Sequence, residues 1–294
     1  MNFGSVLTAM VTPFSQNNDI DYDQTEILIE YLLDNGTEGL VINGTTGESP
    51  TLSIEEKINL FKHVVKVVNQ RVPVIAGTSS NDTAASIALT KEAEKAGVDA
   101  AMIVAPYYNN PSQRGMYEHF KAIANATSLP VVLYNIPGRS VVTINAETII
   151  KLSKIDNIVS VKEASGDLDL VSQVIEETSD DFSVYSGEDG LTLPMLAIGS
   201  DGVISVSSHI IGNEMQRMVK AYRTGNIQDA ASIHRRTLPI MRELFKSPSP
   251  APVKAALEIN GVNTGGVRLP LLSITADEKK ALKIIMDNQK VSAK

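Results

Sequence analysis

Short apolar runs rich in β-branched residues alternate along this chain with longer segments in which apolar residues recur at helical spacing. Short runs bounded by turn residues are typical of strands buried in a parallel sheet, and the longer segments predict amphipathic helices. The runs predict strands at 6–11, 39–43, 72–76, 100–105, 131–135, 182–186 and 202–206, and one more that begins at Ile158. The other segments predict helices at 23–34, 83–96, 114–126, 146–152, 168–177, 191–198 and 213–223, and one more that begins at Ile54.

Two helix boundaries carry clear signals. Ser53 is followed three residues later by Glu56, which is the pattern of a capping box at a helix start. Gly97 follows the predicted helix 83–96 and predicts a C-terminal cap. Beyond about Gly225 no strand signal remains, and the segments 229–245, 252–260 and 276–288 predict helices.

A row of eight strand–helix units with short loops predicts an α/β fold, a (β/α)8 TIM barrel. A doubly wound sheet is the alternative, but it rarely needs eight regular units and usually opens with a Gly-rich phosphate loop. We therefore assign residues 1–224 to a (β/α)8 catalytic barrel and residues 225–294 to a small C-terminal helical domain. The C-terminal part is expected to pack on the barrel or to serve in assembly.

The composition narrows the class of function. A formal net charge of −8 and a pI of about 5.1 argue against nucleic acid or a membrane surface as a partner. No apolar run reaches the roughly 18 residues of a transmembrane helix, and the first residues lack a signal-peptide pattern. The absence of cysteine excludes a disulfide framework and makes the cytoplasm the simplest location. The four histidines show no metal-ligand spacing, so we expect no metal site.

Lys162 lies near the end of the sixth predicted strand. Burial there lowers the pKa of a lysine from about 10.4 towards neutrality. A neutral amine in a dry site can attack a carbonyl and form a Schiff base. The alternatives are an ion pair with Glu163 or a side chain that extends to water. Adjacent strand residues point to opposite faces, which argues against Glu163 as a direct partner.

Other polar residues follow the predicted strands, and the C-terminal ends of the strands build the active site of this fold. Each has a structural interpretation as well: a simple turn at 44–48, packing for the tyrosines, and a solvated charge for the arginine. Together with a buried amine they suit Schiff-base aldol chemistry, which needs an electron sink, a proton shuttle and anion recognition. These residues are Thr45, Thr46, Tyr107, Tyr108, Tyr134, Asn135, Arg139 and Gly187.

The motifs at 44–49, 106–109, 134–139, 161–166 and 186–189 resemble those of the dihydrodipicolinate synthase family. That family lies within the N-acetylneuraminate lyase superfamily of class I aldolases, and the resemblance covers the whole chain. It implies a lyase that condenses pyruvate with L-aspartate 4-semialdehyde to (4S)-4-hydroxy-2,3,4,5-tetrahydrodipicolinate, in diaminopimelate and lysine biosynthesis.

The resemblance also implies catalytic roles. Lys162 forms the imine with pyruvate, so that no separate cofactor is expected. Tyr134 is the general acid and base, and Thr46 and Tyr108 complete a proton relay to bulk water. Tyr108 is expected to enter the site from a neighbouring subunit, which implies a homo-oligomer, with a tetramer built as a dimer of dimers as the expected state.

Substrate-binding roles follow from the same resemblance. The backbone N–H groups of Thr45 and Thr46 hold the pyruvate carboxylate, and Arg139 receives the semialdehyde carboxylate. Gly187 and Ile204 contribute backbone carbonyls near the substrate.

One departure from the family pattern concerns regulation. Members inhibited by lysine carry histidines shortly after the Gly-Glu-Ser stretch, whereas this chain has Ile54 and Lys57 in that neighbourhood. A bound lysine would meet Lys57 as a like charge, so we expect weak or absent feedback inhibition by lysine.

Two alternative functions stay open at this point. One is cleavage of a 2-keto-3-deoxy sugar acid or of N-acetylneuraminate by an aldolase of the same superfamily. The other is a barrel that has lost catalysis and serves as a sensor or scaffold. Arg139 together with Tyr107 and Tyr108 favours the synthase, and the full set of catalytic residues disfavours the scaffold.

Overall fold

The computed structural model describes residues 2–292, with side chains described as far as residue 288. Its centre is a closed barrel of parallel strands that pair in chain order, the last strand pairing with the first. The strands are β1 (Val6–Ala9), β2 (Gly39–Ile42), β3 (Val74–Gly77), β4 (Ala100–Val104), β5 (Val131–Asn135), β6 (Ile158–Glu163), β7 (Ser183–Ser186) and β8 (Gly202–Ser205).

Helices follow the strands and surround the barrel. They are α1 (Tyr22–Asp34), α2 (Ile54–Val68), α3 (Thr83–Ala96), α4 (Gln113–Ala124), α5 (Pro137–Ser140), α6 (Ala146–Leu152), α7 (Leu168–Glu177), α8 (Thr192–Ala197), α9 (Ser208–Arg223), α10 (Ile227–Glu243), α11 (Ala251–Ile259) and α12 (Ala276–Ser292). Short 3₁₀ turns cover Ser49–Thr51 and Asp189–Leu191. The predicted TIM barrel with C-terminal helices is therefore confirmed.

Local sequence signals explain where several helices begin and end. Ser53 and Glu56 form the predicted capping box, each side chain accepting the backbone N–H of the other residue. Asp21 and Asp82 cap α1 and α3 in the same manner, by accepting N–H groups of the first turn. Gly97 ends α3 in a left-handed conformation, as predicted.

Two helical segments differ from the prediction. The turn α5 was not predicted, because its four residues are too few to show a helical period. Helix α9 begins at Ser208, before the predicted start at 213, and Ile211 interrupts its helical backbone. At Gly212, just after this kink, a Cβ atom would lie 2.2 Å from the carbonyl oxygen of Asn35, so that only glycine fits.

The core has an outer and an inner part. Between the strands and the helices lies a continuous apolar layer, which contains fully buried side chains such as Leu28, Leu60 and Phe120. The barrel interior is filled by a second set of side chains, as in other closed barrels of this size. This set includes Leu7, Val41, Ile75, Met102, Val132, Tyr134, Tyr185 and Ile204.

The C-terminal helices pack directly against the barrel. Helix α10 lies along α9, and α12 contacts both α10 and α11. The boundary drawn at residue 224 lies in the turn between α9 and α10, and the division into two domains stays a prediction. No helix within the described residues 2–292 is long and apolar enough to cross a membrane.

Candidate active site

Lys162 lies near the C-terminal end of β6 and is only 4% exposed. This burial lowers the pKa of its ammonium group to about 8. Two charges act on the same group in opposite directions, because Asp189 raises the pKa of Lys162 and Arg139 lowers it. The strand therefore presents an amine that loses its proton far more readily than an exposed lysine.

Glu163 is not the partner of Lys162, as the alternation of strand residues indicated. Its carboxylate accepts the side-chain N–H of Asn135 at 2.8 Å and the backbone N–H of Ser165 at 2.6 Å. No carboxylate lies within 4.0 Å of the Lys162 Nζ atom in the described part of the chain. The interpretations as an ion pair with Glu163 and as a lysine extended to water are both excluded.

Tyr134 lies next to Lys162 on the adjacent strand of the barrel. The two residues are register partners on β5 and β6, and the Lys162 Nζ atom lies 4.4 Å from the centroid of the tyrosine ring. Burial raises the pKa of Tyr134 to about 12, while Arg139 and a hydrogen bond with Thr45 act to lower it. The phenol is thus protonated at neutral pH, next to the amine and coupled to a threonine hydroxyl.

The turn after β2 presents both threonines, and they differ in their relation to Tyr134. Within residues 2–292, the side chain that hydrogen-bonds to Tyr134 is that of Thr45, whereas no hydrogen bond involves the hydroxyl of Thr46. Thr45 is therefore the better placed of the two threonines to exchange a proton with Tyr134, and the relay role given to Thr46 stays a prediction. Adjacent residues in a turn point in different directions, and the sequence alone did not tell which of the two hydroxyls faces the tyrosine.

The same turn offers free donors. Gly47 and Glu48 donate their N–H groups back to Gly44 and Thr45, while the N–H groups of Thr45 and Thr46 have no acceptor among the described residues. Unpaired successive N–H groups of this kind form a nest for an anion. Binding of the pyruvate carboxylate by these two N–H groups stays a prediction.

Tyr107 and Tyr108 have different surroundings. Tyr107 lines a cavity of about 290 Å³ that also contacts Thr45 and Tyr134. Tyr108 is 90% exposed and has a left-handed backbone with φ of 70°. Tyr108 does not contribute to the site of its own chain. The predicted arrangement, in which it acts in the site of a second subunit, stays a prediction.

Arg139 lies on α5, in the loop that follows β5. It lines the cavity with Thr45 and Tyr134, and it also lines a second cavity of about 780 Å³ with Gly187 and Arg242. Arg139 therefore borders both cavities, and its charge lowers the pKa values of Lys162 and Tyr134. An exposed arginine at this position can receive a carboxylate that enters from solvent.

Gly187 and Ile204 border the lysine and the barrel interior. At Gly187 a Cβ atom would lie 2.7 Å from the Cβ of Ala164 and 3.1 Å from the Cε of Lys162, so that a side chain would collide with the reactive residue. Ile204 is 1% exposed and belongs to the side chains that fill the barrel interior. Their predicted carbonyl contacts with substrate stay predictions.

Asp189 is a residue to which the sequence analysis gave no role. It is 2% exposed, and its Oδ2 atom accepts the N–H and the hydroxyl of Ser207 at 2.8 and 2.6 Å. Its Oδ1 atom has no partner among the described groups, and its charge acts on Lys162. The sequence offered one signal for Asp189, namely an acidic residue shortly after the predicted strand 182–186.

The described residues contain no group of three or more His, Asp or Glu side chains that could hold a metal ion. His209, the most deeply buried histidine, has its pKa lowered to about 4 by burial, and its ring contacts backbone groups of Val11 and Val206. A neutral ring held in this manner is part of the packing between β1 and α9.

Comparisons with known proteins identify relatives over nearly the whole chain. The model of the dihydrodipicolinate synthetase family matches residues 2–289. The 4-hydroxy-tetrahydrodipicolinate synthase of Bacillus velezensis is 59% identical over 286 residues, which cover 97% of this chain and 99% of the relative.

Solved structures are also similar to this chain. A dihydrodipicolinate synthase from Bacillus anthracis superposes with a TM-score of 0.96 at 56% identity, covering 98% of both chains. The enzyme from Cyanidioschyzon merolae, solved with lysine bound, has a TM-score of 0.96 at 45% identity and covers 98% of this chain and 99% of its own.

Proposed function

The chain belongs to the dihydrodipicolinate synthetase family, and we propose how its own residues condense pyruvate with L-aspartate 4-semialdehyde. The product is (4S)-4-hydroxy-2,3,4,5-tetrahydrodipicolinate, formed in the diaminopimelate route to lysine. The observation that carries the assignment of residues is the buried amine of Lys162, held beside Tyr134 at the mouth of the barrel.

The reaction begins at Lys162. Its neutral amine adds to the keto carbon of pyruvate, and loss of water from the adduct gives an imine. The imine draws electrons from the neighbouring methyl group, so that loss of a methyl proton gives an enamine. The lowered pKa of Lys162 supports this role, because the amine must be unprotonated to attack.

Tyr134 moves the protons. Its hydroxyl, in hydrogen-bond contact with Thr45, can donate a proton to the departing water and take one back from the imine. Thr45, the better placed of the two threonines, passes protons between Tyr134 and the hydroxyl of Tyr108. The pKa of about 12 fits a phenol that is proton donor first and base only for a short time.

Two sites receive the carboxylates. The free N–H groups of Thr45 and Thr46 hold the pyruvate carboxylate, and Arg139 holds the semialdehyde carboxylate at the mouth. The enamine carbon then attacks the aldehyde, and the amino group of the semialdehyde displaces Lys162 from the imine carbon to close the ring. Backbone carbonyls of Gly187 and Ile204 lie along this route.

The alternative aldolase functions fit the chain less well. Relatives that share well over half of its residues are named 4-hydroxy-tetrahydrodipicolinate synthase. Arg139 supplies the positive charge that a semialdehyde carboxylate needs and that the sugar chain of N-acetylneuraminate does not.

We also infer a homo-oligomer, a tetramer built as a dimer of dimers, in the cytoplasm. The support is the exposure of two large apolar side chains, Tyr108 at 90% and Val141 at 81%, which a neighbouring subunit would cover. The lack of cysteine and the family's biosynthetic role support the compartment.

Borohydride reduction in the presence of pyruvate tests the proposal. We expect a covalent three-carbon adduct on Lys162 by mass spectrometry of peptides, and none in Lys162→Ala. The unreduced wild-type enzyme must also form product from pyruvate and L-aspartate 4-semialdehyde. An adduct on another lysine, or no adduct at all, contradicts the proposal.

A further inference from the structure

The turn that carries Thr45 ends in a buried carboxylate. Glu48 is 3% exposed, and its backbone has a left-handed φ of 57°. This conformation costs a non-glycine residue free energy, and it persists only where surrounding contacts hold it. The contacts of the Glu48 carboxylate come from the C-terminal helical part of the chain.

Lys254 on α11 is the main contact. Its Nζ atom lies 2.8 Å from Glu48 Oε1, and both side chains are at most 3% exposed. The ammonium also donates to the carbonyl oxygen of Gly266 at 2.7 Å and lies 4.2 Å from the centroid of the Phe14 ring. Burial lowers the pKa of Lys254, whereas Glu48 raises it and thereby favours the charged pair.

Arg268 completes the attachment from the same side. Its backbone N–H donates to Glu48 Oε2 at 2.9 Å, and its guanidinium pairs with Glu56 at the start of α2. On the barrel side, the hydroxyl of Thr12 donates to the carbonyl oxygen of Gly47 at 2.7 Å. The turn 44–48 is thus fixed between the end of β1 and the C-terminal segment.

A buried ion pair is a poor source of net stability, because desolvation offsets most of the attraction between the charges. Such a pair can nevertheless specify one geometry where both charges must stay paired. Here that geometry concerns a turn whose Thr45 contacts Tyr134 and whose free N–H groups form the proposed carboxylate site.

We propose that Glu48 and Lys254 are positioning residues, and that their ion pair fixes the turn 44–48 in the conformation that binds pyruvate and couples Thr45 to Tyr134. The C-terminal helical part is accordingly a component of the catalytic unit. The inference rests on the proposed function, since it concerns how the pyruvate site is held.

Kinetics of Glu48→Gln, Lys254→Met and the double variant test this. We expect KM for pyruvate, and the pyruvate concentration for half-maximal borohydride trapping, to rise about tenfold or more in each single variant, with a smaller change in KM for the semialdehyde. The double variant should be no worse than the single variants, because the two residues act as one unit. It should also melt at a higher temperature than Lys254→Met, which leaves a buried charge unpaired, yet keep the raised KM.

Glu38→Gln is the matched control. Glu38 is exposed, and its carboxylate accepts the N–H groups of Ser5 and Val6 at the opposite end of the barrel. Its loss should lower the melting temperature and leave KM for pyruvate unchanged.

Unchanged KM values in folded Lys254→Met and Glu48→Gln overturn the proposal, and so does a double variant with normal KM. If Lys254→Met does not fold, the double variant alone decides by the same criterion. A wild-type enzyme that traps no pyruvate overturns the proposed function, whereas normal wild-type trapping with unaffected variants overturns only the role of the pair.

Discussion

Lys162 and Tyr134 lie side by side as register partners on adjacent strands of the barrel, with the amine 4.4 Å from the centroid of the phenol ring. Both are buried, and burial moves the two pKa values in opposite directions, that of the amine down to about 8 and that of the phenol up to about 12. An amine that is easily deprotonated therefore lies beside a phenol that keeps its proton.

Removing only the phenol hydroxyl separates these two roles. Tyr134→Phe should still form the imine, since Lys162 and its burial are retained, but it should lose general acid and base catalysis. We expect turnover to fall by roughly 10²–10⁴-fold. Borohydride trapping and steady-state kinetics measure the two effects, and unchanged turnover would remove Tyr134 from the mechanism.

The pH dependence of imine formation reports the charges around Lys162. With a pKa of about 8, the fraction of neutral amine should rise about tenfold per pH unit below pH 8 and level off above it. Asp189 favours the ammonium, so Asp189→Asn should move the inflection to lower pH. Arg139 disfavours it, so Arg139→Ala should move the inflection to higher pH. Rates of borohydride trapping against pH measure both shifts.

Asp189→Asn is a mild change for the fold. In the native protein Ser207 donates both its backbone N–H and its hydroxyl to Asp189. The side-chain oxygen of asparagine can accept the same two hydrogen bonds. Circular dichroism and melting should show a folded protein. If both variants shifted the inflection in the same direction, the electrostatic assignment would be wrong.

Arg139→Ala should affect the two substrates unequally. The loss of one charge-assisted contact to a carboxylate should lower kcat/KM for the semialdehyde by roughly 10- to 100-fold, with a smaller effect on pyruvate trapping. Arg242 lines the second cavity but not the first and provides a control. We expect Arg242→Ala to lower kcat/KM for the semialdehyde less than Arg139→Ala does. Equal losses for both substrates would make Arg139 a structural residue.

Much of this site was accessible from sequence because strand ends in a barrel converge. The runs that end at Tyr134 and Lys162 predicted both residues at one mouth, and the structure pairs them in register. The choice between Thr45 and Thr46 was not accessible, because it depends on the backbone angles of one turn.

The contacts of Glu48 lay beyond sequence reasoning for a different reason. Glu48 and Arg268 are 220 residues apart in the sequence. Nothing in the sequence around Lys254 indicates that this lysine is buried. Charged residues are normally predicted to be exposed, so that only the packing of the C-terminal segment on the barrel shows this ion pair.

Tyr108 offers a test of assembly. If its hydroxyl serves the site of a second subunit, Tyr108→Phe and Lys162→Ala proteins should both be impaired alone, yet a refolded mixture should recover activity. A mixed pair then contains one site with Lys162 from one subunit and Tyr108 from the other. If Tyr108 served its own chain, or had no role, mixing would add nothing beyond the activity of Tyr108→Phe.

Lysine should inhibit this enzyme weakly or not at all. Lys57 is partly buried and lines the 290 Å³ cavity together with Ser49 and Tyr107, so that a lysine ligand would bring a second ammonium close to the first. Activity measured against L-lysine concentration, with a thermal-shift titration, checks this. Lys57→Ala removes the like charge and should bind lysine no worse than the wild type. Inhibition of the wild type at submillimolar lysine would contradict the prediction, and so would tighter lysine binding by the wild type than by Lys57→Ala.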